Sequence, residues 1–436
     1  VNGARSYRVP FQRRGSVVGE AELDALTELV RSDDPLSAGR HRRRFEERFR
    51  ELTGARHALT VTSGTAALEM AVRLLQLTPG DEVIATPQTF QATVQPLLGH
   101  DVTVRFCDVD PDTLNISPDA LESLITDRTR AILLVHYAGC PADMDRIMAL
   151  ARRHGIVVIE DCAHALGTEY RGKRPGVLAD IGCFSFHSSK NITTLGEGGM
   201  ITLSRDDWAE RVDRLRSNEV DGVFTPLRPG ADEEPGLLPW MKYSDDVYRQ
   251  AAVGLRGPGT NATMSEAAAA VGLVQLESLD RFTERRRWIA GRLDAVVSAF
   301  PGTRLQRAPE GCTHAYHLYA FFLDQGPEAR ERCVRALDRM GVQVELRYFP
   351  LHLTPEWRLR GHGPGECPVA ERSWFNAHVN VPCHPGLDDG QVDELVAALT
   401  AALDEAHQAT ANHASATETA PAPGSGLTAA AVSANS

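Results

Sequence analysis

The chain has 436 residues, 42% of them hydrophobic, with 46 Lys and Arg against 58 Asp and Glu and a formal net charge of −12. That length supports a large core and more than one domain, and the acidic balance argues against a nucleic-acid partner, which calls for a basic face. No run approaches membrane-spanning length, and the opening VNGARSYRVP has no apolar signal region, so a cytoplasmic protein with no membrane contact is expected.

In chain order, residues 1–36 read as an N-terminal segment. GRHRRRFEERFR (39–50) then places Phe45, Phe49 and Leu52 at helical spacing, which makes it an amphipathic helix with a solvated basic face rather than a nucleic-acid arm. From about 55 to 205, short apolar runs alternate with helical patterns. ALTV (58–61), EVIAT (82–86), VTVRF (102–106), AILLVH (131–136), IVVIE (156–160), IGCFSF (181–186) and MITLS (200–204) read as buried strands. Helices are expected at 65–77, at 117–125 with Ser117 as N-cap before Pro118, and at 142–155 ending at Gly155. Such alternation implies an α/β fold with a mostly parallel sheet covered on both faces.

The Pro/Gly-rich stretch at 224–244 gives no regular pattern. A long connecting helix is expected over 264–300, followed by a smaller α+β domain at 301–408 with strands YHLYAFFL (316–323) and VQVELRYF (342–349). Residues 409–436, rich in Ala, Ser, Thr and Pro and without an aromatic, read as a disordered tail. The eight cysteines show no CxxC spacing, and several sit in apolar runs, so reduced buried thiols are expected and no metal site.

Four elements in the first domain carry chemistry. VTSGTAALEMAV (61–72) runs from a strand through Ser63-Gly64-Thr65 into a helix, whose N-terminal amides favour an anion; Ser63 as an ordinary N-cap accounts for it as well. VVIEDCAHALG (157–167) ends a buried strand in Glu160-Asp161, of which only one can face a cleft, with His164 three residues on. FSFHSSKNITTLGEGGM (184–200) places Ser185 on the side of the strand opposite Phe184 and Phe186, then Lys190 on a turn rich in glycine. TPQTFQATVQP (86–96) offers Phe90 as a flat apolar face, or as plain core. An anion cradle, a carboxylate, a lysine and an aromatic plate together match the needs of pyridoxal 5′-phosphate (PLP).

The strings TSGTAAL, PGDEVI, TFQAT, DVDPDTLNI, LVHYAGCPADMD, VIEDCAHALGT, ADIGCFSFHSSKNITTLGEGG and HLYAFF, spread over residues 37–402, resemble the phrases of the DegT/StrS-type sugar aminotransferases. That resemblance implies fold type I of the PLP-dependent transferases, with a large PLP-binding domain over 37–263. It implies Lys190 as the lysine that joins the cofactor and shuttles protons, and Asp161 as partner of the pyridine nitrogen. His164 would lie near the phenolic oxygen, Gly64, Thr65 and Ser185 at the phosphate, and Phe90 against the ring. Asn261 matches an asparagine supplied to the phosphate by a neighbouring subunit, which implies a homodimer. Thr260, Ala262 and Thr263 depart from the Tyr, Tyr and Arg of the matching motif, and the 219–256 stretch is longer than usual, so a substrate-facing wall is altered. The expected activity is transfer of an amino group from glutamate or glutamine to a nucleotide-linked keto sugar. A cyclitol ketone as acceptor, or a PLP-binding regulatory protein without turnover, stands as an alternative.

Overall fold

The seven apolar runs of the large domain form the seven strands of one sheet. They are β1 (His57–Val61), β2 (Glu82–Ala85), β3 (Thr103–Phe106), β4 (Thr129–Val135), β5 (Val157–Asp161), β6 (Ile181–Ser185) and β7 (Gly199–Leu203). Their order across the sheet is β1-β7-β6-β5-β4-β2-β3. Only β7 is antiparallel to its neighbours, so the sheet is mostly parallel, as expected. The computed structural model describes residues 6–11, 14–221, 254–255 and 257–418. Most of the 219–256 stretch, and the expected tail beyond 418, lie outside the described residues.

Helices α2 (Arg40–Thr53), α3 (Gly64–Leu74), α4 (Pro118–Leu124), α5 (Met144–His154) and α6 (Asp206–Leu215) flank the sheet, and α1 (Glu20–Arg31) packs against the later helix Glu266–Glu277. Ser63 Oγ caps α3 by accepting the Ala66 N–H at 3.1 Å, and Ser117 Oγ accepts from Ala120 at the head of α4. Gly155 ends α5 with a left-handed φ of 66°. Adjacent strand residues face opposite layers. Val83, Leu133 and Ile159 pack with Leu68 and Val72 of α3, whereas Ile84, Leu134 and Val158 pack with Ile147 and Ala151 of α5. The basic 39–50 segment is the amphipathic helix its periodicity predicts. Phe45 and Phe49 of α2 are buried against Phe186 and Phe184, with ring centroids 5.3 Å and 4.8 Å apart, and this packing turns Ser185 to the other side of β6.

Glu160 and Asp161 part company at the end of β5. Glu160 is fully buried and its carboxylate accepts the N–H groups of Gly176, Leu178 and Ala179 at 3.1, 3.0 and 2.8 Å. His136 Nδ1 accepts from Ala142 N–H, so its proton sits on Nε2, which donates to Glu160 at 2.9 Å. Glu160→Ala leaves three amides unpaired and is expected to cost at least about 3 kcal/mol of stability. A urea titration that shows no loss of midpoint would contradict this.

The chain then crosses to a second domain. The single helix expected over 264–300 is two, α7 (Glu266–Glu277) and α8 (Leu279–Val297), which meet at Ser278. Strands β8 (Thr303–Leu305), β9 (Tyr319–Leu323) and β10 (His378–Val381) form an antiparallel sheet with β9 in the centre. Its apolar face packs with α8, α9 (Pro327–Arg339) and α10 (Asp389–Glu418) through Ile289, Leu293, Leu337, Leu395 and Leu399. Two expectations change here. Residues 342–349 form no sheet strand, because their backbone is engaged elsewhere: Gln343 N–H donates to Val9 O, and Arg347 N–H to the side chain of Asn380. α10 also continues through 409–418, inside the stretch read as a disordered tail. Among the described residues no helix is long and apolar enough to cross a membrane.

Candidate active site

β4, β5 and β6 run parallel, and their carboxyl ends open onto one cavity of about 640 Å³, the place where such sheets gather ligands. Gly64, Thr65, Phe90, Asp161, His164, Ser185 and Lys190 all line it. Asn261, the remaining residue singled out by sequence, is exposed and does not line the cavity of its own chain.

Asp161 is buried and held on both oxygens. Oδ2 accepts from Thr93 Oγ1 at 2.6 Å and Oδ1 from the Ala163 N–H at 2.9 Å, while Thr93 also meets Thr89 Oγ1 at 2.7 Å. Opposing donors of this kind fix a carboxylate's orientation. Thr93 lies 68 residues before Asp161 in the chain, and nothing in the sequence marks it.

Lys190 is partly exposed because it lines the cavity. Its amine makes no hydrogen bond or ion pair with the described residues. Burial lowers its pKa to about 8, an effect opposed by Asp161 and reinforced by the Arg347 guanidinium. The turn that carries it is closely fitted. Lys190 N–H donates to His187 O at 2.8 Å, Asn191 Nδ2 donates to Leu166 O at 2.7 Å, and Thr194 Oγ1 to Glu197 O. Gly199 allows the approach of α3, since a Cβ there would come 2.4 Å from the Ser63 carbonyl carbon. From the N-terminal segment, Gly15 packs on the same turn, where a Cβ would lie 2.1 Å from Lys190 O. That clasp leaves no mark in the sequence.

His164 is buried between two rings, stacked on His317 at 4.2 Å and on Tyr348 at 5.8 Å, and its Nε2 lies 3.2 Å from Tyr348 Oη. Burial first, then Lys190 and Arg347, hold its pKa well below the ordinary value, so the ring is neutral near pH 7. Its Nδ1 is buried without a hydrogen-bond partner among the described residues. Phe90 is 50% exposed, which rules out the plain-core reading; its ring centroid is 6.0 Å from that of Tyr348. At the head of α3 the first two amides, of Gly64 and Thr65, have no acceptor among the described residues, and Ser185 lies against Gly64. A helix N-terminus with free amides favours an anion. Arg347, Tyr348 and Phe349 reach the cavity from the segment that was expected to be a strand.

The DegT/DnrJ/EryC1/StrS aminotransferase family model matches residues 17–400. GDP-perosamine synthase of Caulobacter vibrioides is 33% identical over 386 residues, covering 88% of this chain and 95% of that protein. The solved structure of the aminotransferase TlmJ from Streptoalloteichus hindustanus is 30% identical and superposes with a TM-score of 0.78, covering 90% of this chain and 99% of that one. The PLP form of Spr1654 from Streptococcus pneumoniae is 26% identical with a TM-score of 0.79, covering 92% and 100%.

Proposed function

Because the chain belongs to the DegT/DnrJ/EryC1/StrS aminotransferase family and is a PLP-dependent aminotransferase of fold type I, we propose that it moves the amino group of glutamate or glutamine to a nucleotide-linked keto sugar. The transfer is ping-pong and serves the making of amino sugars or natural products. The observation that carries this reading is the Lys190 amine, unpaired among the described residues, in the same cavity as the doubly anchored Asp161.

The residues fit the cofactor. The amides of Gly64 and Thr65, free among the described residues, suit its phosphate together with Ser185, Asp161 suits its ring nitrogen, the Nδ1 of His164, without a partner among the described residues, its phenolic oxygen, and the face of Phe90 its ring. When bound, PLP supplies an aldehyde for the donor amine and a ring that takes up an electron pair. The protein's own work is positioning and proton transfer. Lys190 Nζ, neutral, takes the proton from the donor Cα, and a pKa of about 8 leaves it basic enough to do so yet partly deprotonated near neutrality. Asp161, fixed by Thr93 and Ala163, holds a negative charge against the ring nitrogen. The segment carrying Arg347 and Tyr348 lines the cavity. Asn261 is assigned to the phosphate of the partner subunit, so the working unit is a homodimer.

The test uses the yellow holoenzyme. Glutamate or glutamine is expected to convert its absorbance to that of the pyridoxamine form with release of a 2-oxo acid, and a nucleotide-linked keto sugar to restore it. Restoration by an inosose alone would replace the sugar with a cyclitol. No conversion by any amino acid would overturn the assignment of turnover.

A further inference from the structure

A lysine that moves protons in both half-reactions must be held in one position throughout. Residues 187–190 close on themselves, since Lys190 N–H donates to His187 O at 2.8 Å, and the turn meets the N-terminal segment at Gly15. Gly15 N–H donates to Ser188 O at 2.9 Å. Its packing is so close that a Cβ would lie 2.1 Å from Lys190 O and 2.2 Å from Ser189 O. On the other side of the lysine, Asn191 Nδ2 donates to Leu166 O at 2.7 Å. Its Oδ1 is therefore an acceptor and takes the Nδ1 proton of His317 at 2.9 Å. Both contacts lead back to one side chain. Arg286 of α8 donates from Nη2 to Gly15 O at 2.6 Å. From Nη1 it donates to Tyr316 O at 2.9 Å, to His317 O at 3.3 Å and to Cys383 O.

We infer that Arg286 is a positioning residue for Lys190, holding through Gly15 and His317 the residues on either side of the reactive amine. This rests on the reading of Lys190 given above and adds to it the group that sets where the amine stands. Arg286 is fully buried, and among the described residues its hydrogen bonds all go to backbone carbonyls. Burial lowers its pKa only to about 10, so it remains a cation near neutral pH. A buried cation is costly unless its donors are matched. Here the matching carbonyls come from the N-terminal segment, from the corner before β9 and from Cys383 after β10. Gly15 O is the only acceptor of Nη2 among the described residues, so withdrawal of the segment leaves that donor unmet. A second bridge runs beside the first. Gln275 of α7, fully buried, accepts the Thr193 N–H at 3.3 Å and donates to Val17 O at 2.8 Å and to Glu22 Oε1 at 2.6 Å. It ties the chain after the lysine to the same N-terminal segment. The charges felt at Lys190 are those of Asp161, Arg347 and Glu197. Arg286 therefore acts on Lys190 through the backbone and not through its field.

The experiment uses the full-length chain and compares G15A, R286M and R286K with wild type and with L399A. Leu399 is fully buried in the core of the second domain, so its truncation lowers Tm through a cavity away from the turn. The first readout needs no turnover: the pH midpoint at which an amine-reactive reagent labels Lys190 in the cofactor-free protein. The second is the rate of each half-reaction in the PLP-loaded enzyme, with its KM. G15A pushes the turn aside and R286M releases it. In both, the midpoint is expected to climb from about 8 towards that of a solvated lysine, as the amine loses part of its burial. Both half-reactions should slow by about 100-fold, the loss that a misplacement of about 1 Å brings, with KM held within about threefold. R286K, which keeps the charge but not the planar fork, should recover part of the rate. L399A should lower Tm and leave midpoint and rates as in wild type. Wild-type rates and midpoint in either G15A or R286M would overturn the assignment, and G15A decides it if R286M does not fold. So would a loss confined to one half-reaction. An L399A that slowed both as much for the same fall in Tm would also overturn it, leaving Arg286 a residue of stability alone. Failure of wild type to convert any amino acid is a different result: it removes the functional reading, while the labelling midpoints still report what Arg286 does to Lys190.

Discussion

Lys190→Ala is expected to lower kcat by about 10⁴-fold or more, the sum of a lost general base and a lost nucleophile, while the protein stays folded and still takes up cofactor. The side chain makes no hydrogen bond with the described residues, so its removal breaks no network, and the 640 Å³ cavity tolerates the missing volume. Lys190→Arg should fail equally, because a guanidinium stays protonated and cannot take a proton near neutral pH. Millimolar methylamine should restore a part of the lost rate in the alanine variant, since a small amine can enter the space left by the side chain. In the cofactor-free wild type, labelling of Lys190 by an amine-reactive reagent follows the neutral form. It should rise with pH through about 8 and then level off, whereas an ordinary lysine rises only towards a pKa of about 10.4. The direction follows from burial, which penalises the charged form. A labelling midpoint near that of free lysine, or an active Lys190→Ala, would remove Lys190 from the chemistry.

How far the sequence revealed this site depends on the kind of contact involved. Strands were legible because a sheet covered on both faces demands apolar runs such as AILLVH and IVVIE. Alternation along β6 correctly opposed Ser185 to Phe184 and Phe186, since period two is a property of the backbone itself. The same rule showed that only one of Glu160 and Asp161 could face the cavity but not which. The answer lay in Gly176–Ala179 on one side and Thr93 on the other, contacts between distant parts of the chain. Arg347 and Tyr348 were hidden because VQVELRYF has the alternation of a strand. In the fold, hydrogen bonds to Val9 and Asn380 claim its backbone, and tertiary context overrides the pattern. The short β10, HVNV, went unread for the opposite reason, too few residues to establish a period. The helix through 409–418 is a continuation of α10 in which alanine, the strongest helix former, recurs, while the lack of apolar bulk in the same stretch points to disorder. Asn261 poses a problem of another kind, since an assignment to a partner subunit leaves no trace in one chain's contacts.

Asp161→Asn should reduce kcat by about 10³-fold with the cofactor still bound, the loss expected when a preorganised charge is taken from a buried reacting centre. The substitution keeps the shape and removes the charge. It also sets a donor against donors. Oδ1 and Oδ2 of Asp161 accept from the Ala163 N–H and from Thr93 Oγ1, so the amide NH₂ of an asparagine must face one of them or turn towards the ring nitrogen. In the first case a buried bond is lost, and in the second the ring meets a neutral donor where it requires an acceptor. Asp161→Glu keeps the charge but lengthens the side chain by one carbon in a buried setting and should recover only part of the rate. Thr93→Val separates anchoring from charge, because it removes the 2.6 Å bond to Oδ2 and leaves the carboxylate in place. A loss of about tenfold is expected there, the worth of one hydrogen bond to a charged group. The measurement is single-turnover absorbance of each holoenzyme with saturating donor, with bound cofactor quantified in parallel. If Asp161→Asn turned over within tenfold of wild type while Thr93→Val lost more, the anchoring network would carry the effect, and the charge of Asp161 would have no part in the reaction.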